Sequence, residues 1–150
     1  MDKTEVIMLL RQAKTGHKKW VENAISLIEG LPLDKNQVPV NGTECMFGQW
    51  YYGEGQGLKS LKAFKEIEQY HDGLHRIYRE IFILLFEEES KPSLLTRLFG
   101  ISRKVTEEKK LAAHEKLQAL KLQSRSIMKK VDELEEAILE MSPEQLSAFL

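Results

Sequence analysis

Four side chains in this sequence have the chemistry and spacing of metal ligands: His17, Cys45, His71 and His75. His71 and His75 form an HxxxH pair, which lies on one face of a helix, where both imidazoles can reach the same ion. That pair and His17 fall on predicted apolar stripes. Three imidazoles in one interior need partners for their ring nitrogens, and a divalent metal would supply one to each.

Cys45 is the only cysteine in the chain and could supply a fourth ligand. Zinc in structural sites is tetrahedral and accepts both nitrogen and thiolate sulfur. Phe47 and Trp50, which follow Cys45, could pack around the site and limit water, and Gly48 would permit close backbone approach. Each histidine taken alone is more simply a core residue, but the three together with Cys45 favour a metal site.

Two long helices must position these ligands, and a third completes the fold. Segment 1–31 is predicted to be a helix, because apolar residues recur at alternating spacings of three and four. Segment 33–57 is predicted to be a Cys-bearing connection with one short helix. A second long helix is predicted over 58–89, followed by a connection over 91–105, and the C-terminal helix over 106–140.

The C-terminal helix carries a heptad seam with charged residues around it. The seam consists of Leu117, Leu120, Ser124, Ile127, Val131, Leu134 and Ile138. We therefore expect one domain over 1–150, an all-α helical bundle of three long helices plus short ones, resembling a four-helix bundle. The seam could be covered within the chain or by a second copy in a homodimer.

Composition excludes several classes of function. The 22 basic and 23 acidic residues give a net charge of −1, which provides no electrostatic footprint for nucleic acid. No apolar run approaches the roughly 20 residues of a membrane-spanning helix, and no signal peptide is predicted. The single cysteine fits a reducing cytoplasm. Segment 94–104 mixes apolar and basic residues, but a connection packed on the bundle is favoured over membrane contact.

The ligand pattern resembles a known family. The elements are His17-Lys-Lys-Trp20, Cys45-Met-Phe-Gly-Gln-Trp50-Tyr51 and the HxxxH pair. Together they are similar to the chemoreceptor zinc-binding (CZB) domain of bacterial sensory proteins. The resemblance implies one zinc bound by three histidines and one cysteine. It also implies a dimer that senses zinc, or oxidants such as hypochlorous acid through the zinc-bound thiolate, beside a chemoreceptor or diguanylate cyclase module in chemotaxis and related signalling. The segment 91–110 is longer than the family usually carries there.

A site with four protein ligands is closed, whereas catalytic zinc keeps an open position. The sequence also lacks recognised catalytic motifs. We therefore expect a regulatory domain rather than an enzyme, in which zinc occupancy or Cys45 oxidation changes helix packing. Glu68, one turn before His71 on the same stripe, could accept a hydrogen bond from an imidazole, or equally form an interhelical ion pair or be exposed by bending of the helix. His114 is expected to lie outside the site.

Two alternatives belong to other functional classes. A hemerythrin-like di-iron bundle that binds oxygen would need further histidine and carboxylate ligands, for which only Glu68 and His114 are available. A metal-free helical interaction module would keep the histidines as core polar residues.

Overall fold

The structure, a computed structural model, describes residues 1–31, 41–86 and 107–150, and all regular structure in these ranges is helical. The helices are α1 (Lys3–Ile28), α2 (Met46–Tyr52), α3 (Lys62–Phe86), α4 (Glu107–Glu140) and α5 (Pro143–Ser147), with a 3-10 helix (Glu54–Leu58) before α3. The predicted all-α bundle with three long helices is confirmed. None of the described helices is long and apolar enough to cross a membrane. The predicted connection 91–105, including 94–104, lies outside the described residues.

The ends of α1 are set by local capping. The Asp2 side chain accepts a hydrogen bond from the Glu5 N–H, and the Glu5 side chain accepts one from the Asp2 N–H, which forms a capping box. At the other end, Gly30 has φ of 74° and the Leu31 N–H bonds to the Ser26 carbonyl. A glycine in this left-handed conformation ends the helix slightly before the predicted boundary at residue 31.

Helix α4 is the centre of the bundle. It packs extensively against α3 and also against α1, whereas α1 and α3 contact each other over a small region. All seven residues of the predicted seam are buried, from Leu117 to Ile138. The seam is therefore covered within the chain by α1 and α3. A single long apolar stripe thus holds together two helices that make few contacts with each other.

Two details of the second long helix differ from the prediction. Helix α3 begins at Lys62 rather than at residue 58, because Leu58 ends a 3-10 turn and is fully buried. Glu68 was expected on the buried stripe, but its side chain is exposed and Ile67 is buried instead. The buried side of α3 passes through Phe64 and Ile67 before it reaches His71, so Glu68 points away from the interior.

Polar contacts join the first half of α1 to α4. The Glu135 carboxylate is largely buried and accepts hydrogen bonds from Arg11 Nε and Lys14 Nζ, each at 2.7 Å. Lys14 also donates to Asp132 at 2.7 Å. Near the N-terminus, Lys3 donates to two main-chain carbonyls at the C-terminal end of α4. These contacts fix the position of α1 along α4, because the apolar stripe alone would allow α1 to slide along it.

We expect Glu135→Gln to lower the free energy of unfolding by about 2 kcal/mol, because charged hydrogen bonds in a partly buried site are lost. This corresponds to a drop in Tm of roughly 4–8 °C for a chain of this size. Thermal unfolding followed by circular dichroism measures it. Glu136→Gln, a change at the exposed neighbouring carboxylate, is the matched control.

The effect of Glu135→Gln should depend on pH. Burial raises the pKa of Glu135, but the hydrogen bonds from Lys14 and Arg11 outweigh it and hold the pKa below its usual value. The stabilisation is therefore present above the unfolded-state pKa of about 4.3 and is lost as the pH falls through the lower folded-state pKa. If the wild type remained more stable than Glu135→Gln by the same free energy at pH 3, the charged contacts of Glu135 would not explain its stability. An equal loss of stability in Glu136→Gln would contradict them as well.

Candidate metal centre

Four side chains from three separate elements meet at one point in the structure. His17 comes from α1, Cys45 precedes α2, and His71 and His75 lie on α3. One nitrogen or sulfur atom from each lies within 4.8 Å of those from the others. The three histidines are buried and Cys45 is partly buried. This cluster is suited to a metal ion.

The His17 ring is oriented by its own helix. Its Nδ1 atom lies 2.8 Å from the Ala13 carbonyl oxygen, one turn earlier in α1. A carbonyl can only accept, so Nδ1 carries the proton and donates it, which leaves the lone pair on Nε2. Histidines that bind metals are usually held in this way through the nitrogen that does not face the ion.

Cys45 is the N-cap of α2. Its Sγ atom accepts a hydrogen bond from the Gly48 N–H at 3.1 Å, donates to the Gly42 carbonyl at 3.2 Å, and lies 3.3 Å from His71 Nε2. Burial raises the pKa of the Cys45 thiol, and hydrogen bonds from the backbone of Gly48 and Phe47 offset only part of the rise. A bound cation would supply the positive charge that the thiolate needs here.

His71 and His75 face the same interior from successive turns of α3, with ring centroids 4.6 Å apart. Burial, together with the nearby His75 and His17 rings, lowers the pKa of His71 to about 3. Burial likewise lowers the pKa of His17. The rings of His71 and His17 are therefore neutral at physiological pH, and neutral imidazoles are the form that binds metal ions.

Aromatic side chains enclose the histidines. The Trp20 ring lies 4.2 Å from His75 and stacks on Tyr78 at 4.5 Å, between centroids. The Phe47 ring lies 5.7 Å from His17 and 5.3 Å from His71. Trp50, in contrast, packs behind Phe47. Trp20 and Phe47 thus shield the imidazoles from water, and Trp50 supports Phe47.

The segment that carries Cys45 is tied to α3 on both sides. Before the cysteine, Arg79 donates to the Asn41 side chain at 3.0 Å. After it, the Tyr52 hydroxyl donates to Asp72 at 2.9 Å and the Tyr51 hydroxyl to the Phe64 carbonyl at 2.9 Å. Contacts to α3 therefore set the position of the thiol.

Close backbone contact at Gly42 and Gly48 completes the site. A Cβ atom on Gly48 would overlap the Gly42 carbonyl and lie 3.3 Å from Cys45 Sγ. A Cβ atom on Gly42 would lie 3.1 Å from the His71 ring and 3.2 Å from the His75 ring. The close approach at Gly48 was predicted from the sequence, whereas that at Gly42 was not, because an isolated glycine in a glycine-rich segment carries no distinguishing signal.

Comparison with protein families identifies the segment that contains the cluster. Residues 17–82 match the family model of the chemoreceptor zinc-binding domain, CZB. The match begins at His17 and includes all four clustered side chains. No curated protein and no solved structure was found to match the chain. The CZB family binds zinc, in agreement with the expected cofactor.

Two residues considered at the sequence level do not join the CZB cluster. Glu68 is exposed. Burial of Tyr51, and then the negative charge of Glu68, raise the pKa of Tyr51 to about 12. His114 is exposed on α4, where its ring contacts the Lys110 carbonyl at 2.8 Å. Glu68 and His114 were the extra ligands available to a hemerythrin-like di-iron centre, and neither lies in the cluster.

We expect Gly48→Ala to destabilise the metal-free protein by about 2 kcal/mol, because the added methyl group must displace the Gly42 backbone. Gly16→Ala is the control, since a Cβ atom at Gly16 meets nothing within 4 Å. That change should stabilise α1 by up to about 1 kcal/mol. Urea unfolding of EDTA-treated protein measures both, and equal stability of the two variants would refute the close contact.

Proposed function

We propose that His17, Cys45, His71 and His75 bind one zinc ion, and that this chain is a regulatory domain that responds to zinc occupancy or to oxidation of Cys45. The observation that carries the proposal is the clustering of these four side chains within 4.8 Å. They come from three elements far apart in the sequence, so local helical spacing alone does not explain their meeting. The CZB match over residues 17–82 supports zinc as the ion.

The ligand geometry is compatible with tetrahedral zinc. Zinc lies about 2.0–2.1 Å from imidazole nitrogen and about 2.3 Å from thiolate sulfur, which separates neighbouring ligand atoms by roughly 3.3–3.7 Å. The 3.3 Å distance from Cys45 Sγ to His71 Nε2 is already in that range. Small inward movements of the other rings would complete the set. His17 would bind through Nε2, since its Nδ1 is hydrogen-bonded to Ala13.

Four protein ligands leave no position for a substrate, and this favours regulation over catalysis. When bound, zinc supplies the positive charge that keeps the Cys45 thiolate deprotonated. The protein contributes neutral imidazoles, a thiol held by two backbone groups, and aromatic rings that exclude water. Cys45 is the ligand that oxidants attack, and loss of its thiolate would weaken the site.

The arrangement of the helices suggests how a change at the site would be transmitted. α1 and α3 each pack on α4 but contact each other little, and the clustered side chains lie where they do meet. Zinc would therefore join α1 to α3 through His17 on one side and His71 and His75 on the other. Loss of the ion would loosen that connection. The receiving partner would be a protein module of the chemoreceptor or diguanylate cyclase type, with a homodimer as the signalling unit.

Metal analysis tests the ligand set directly. We expect about one zinc per chain by ICP-MS, and EDTA should lower Tm by about 10 °C, since tight binding stabilises a fold by several kcal/mol. His17→Ala, Cys45→Ser, His71→Ala and His75→Ala should each reduce the zinc content. His114→Ala removes the only histidine outside the cluster and should leave it unchanged. Undiminished zinc in the four variants would refute the site, and an unchanged Tm after EDTA would favour a metal-free helical module.

Fluorescence tests the proposed transmission. Trp20 on α1 contacts His75 and Tyr78 on α3, so its emission reports the contact between the two helices. In a Trp50→Phe variant, where Trp20 is the only remaining tryptophan, zinc removal or Cys45 oxidation should shift the emission to longer wavelength as water reaches the ring. Adding Cys45→Ser should abolish the response to oxidant. An emission spectrum that zinc removal leaves unaltered would contradict the coupling.

A further inference from the structure

A narrow cleft between α1 and α2 leads from the surface to Cys45. Its volume is about 170 Å³. Gly16 and Met46 are exposed and lie at its mouth, and Met46 is 53% exposed. Trp20 and Phe47 are buried and form its walls, and Cys45 and His17 also line it. Cys45 therefore lies beside apolar side chains in this cleft.

The lining of this cleft contains no charged side chain among the described residues. Its polar groups are one amide, two imidazoles and the thiol. A second cavity, which His75 also lines, has charged residues instead, Asp72, Arg76 and Arg79, and Cys45 does not line it. An ion that entered the first cleft would lose hydration without gaining a charged partner, which is costly.

The volume of the cleft also limits the size of the reactant that it can hold. An apolar cavity of about 150 Å³ holds one benzene molecule, which has six non-hydrogen atoms. A volume of about 170 Å³ therefore accommodates a reactant of similar size, and a larger molecule that entered it completely would have to displace Trp20 or Phe47. Both rings are held by several aromatic contacts, so such displacement is unfavourable.

We infer that the cleft selects the reactants of Cys45: small, uncharged electrophiles or oxidants reach Sγ through it, whereas anions and bulky reagents are disfavoured. In such a reaction the Sγ electron pair forms a bond to the electrophilic atom, and the leaving group departs with the pair of the broken bond. This inference rests on the proposed function, because it specifies which molecules the same thiol would sense.

Two reagents of equal size and different charge test the selection. Iodoacetamide is neutral and iodoacetate is an anion. With either, Sγ bonds to the methylene carbon and iodide leaves. Mass spectrometry of the full chain gives both rates, and each is divided by the rate of free cysteine with the same reagent. We expect a normalised preference for iodoacetamide of about tenfold or more, from the cost of desolvating the anion. Equal normalised rates would overturn the inference.

Narrowing the mouth tests the route. Gly16→Leu places a side chain in open space beside the cleft, since a Cβ atom there meets nothing within 4 Å. This substitution should slow the reaction of Cys45 with iodoacetamide several-fold, while zinc content and helicity stay unchanged. Thr15→Leu changes the exposed neighbouring residue, which does not line the cleft, and should have no effect. An unaltered rate in Gly16→Leu, or an equal slowing in Thr15→Leu, would show that reagents reach Cys45 by another path.

Measurements on zinc-stripped protein separate this inference from the proposed function. Without the ion, its positive charge no longer influences the anion, and the preference for iodoacetamide should remain. If ICP-MS finds no zinc but the preference and the Gly16→Leu effect hold, the cleft stands and the zinc proposal fails. If zinc binds through the four ligands but both reagents react alike, the zinc site stands and the cleft is not selective.

Discussion

Burying polar side chains away from water costs free energy, and this cost governs the interior of the domain. Three imidazoles and a thiol occupy an interior that aromatic rings shield from water. In an ordinary core each would need a hydrogen-bond partner. His17 has one in its own helix, but Nδ1 of His71 has none among the described residues. The cluster thus lowers the stability of the fold, but it keeps buried nitrogen and sulfur atoms that could bind a metal ion.

Helix α4 supplies stability that offsets the cost of the cluster. It supplies none of the four clustered side chains, and its long apolar seam buries against both α1 and α3. The fold therefore has a source of stability separate from the site. The polar contacts of Glu135 add orientation to this packing, since they can form only when α1 lies at one position along α4. A domain organised in this way can tolerate unfavourable groups at the site between α1 and α3.

Sequence pattern predicted the helices from their apolar spacing. It predicted the four clustered residues from their types, from the apolar stripes on which the histidines fall, and from the HxxxH pair. The heptad seam of α4 is continuous and unambiguous, and the HxxxH pair is a direct consequence of helical geometry. Glu68 was misplaced because it and Ile67 are adjacent, and a stripe that alternates between three and four can pass through either. The start of α3 was missed because the burial of Leu58 depends on tertiary packing. The contacts of Gly42 with the histidines are long-range, and no local pattern encodes them.

The uneven attachment of α1 has a mechanical consequence. Its polar contacts to α4 involve Lys3, Arg11 and Lys14, all in its first half. His17 lies three residues beyond Lys14, and Ile28 lies fourteen beyond it, which are distances of about 4.5 Å and 21 Å along a helix. If α1 turned as a rigid rod about Lys14, the arm to Ile28 would be roughly five times as long as the arm to His17. A displacement of half an ångström at His17 would therefore move the end of α1 by about 2–3 Å.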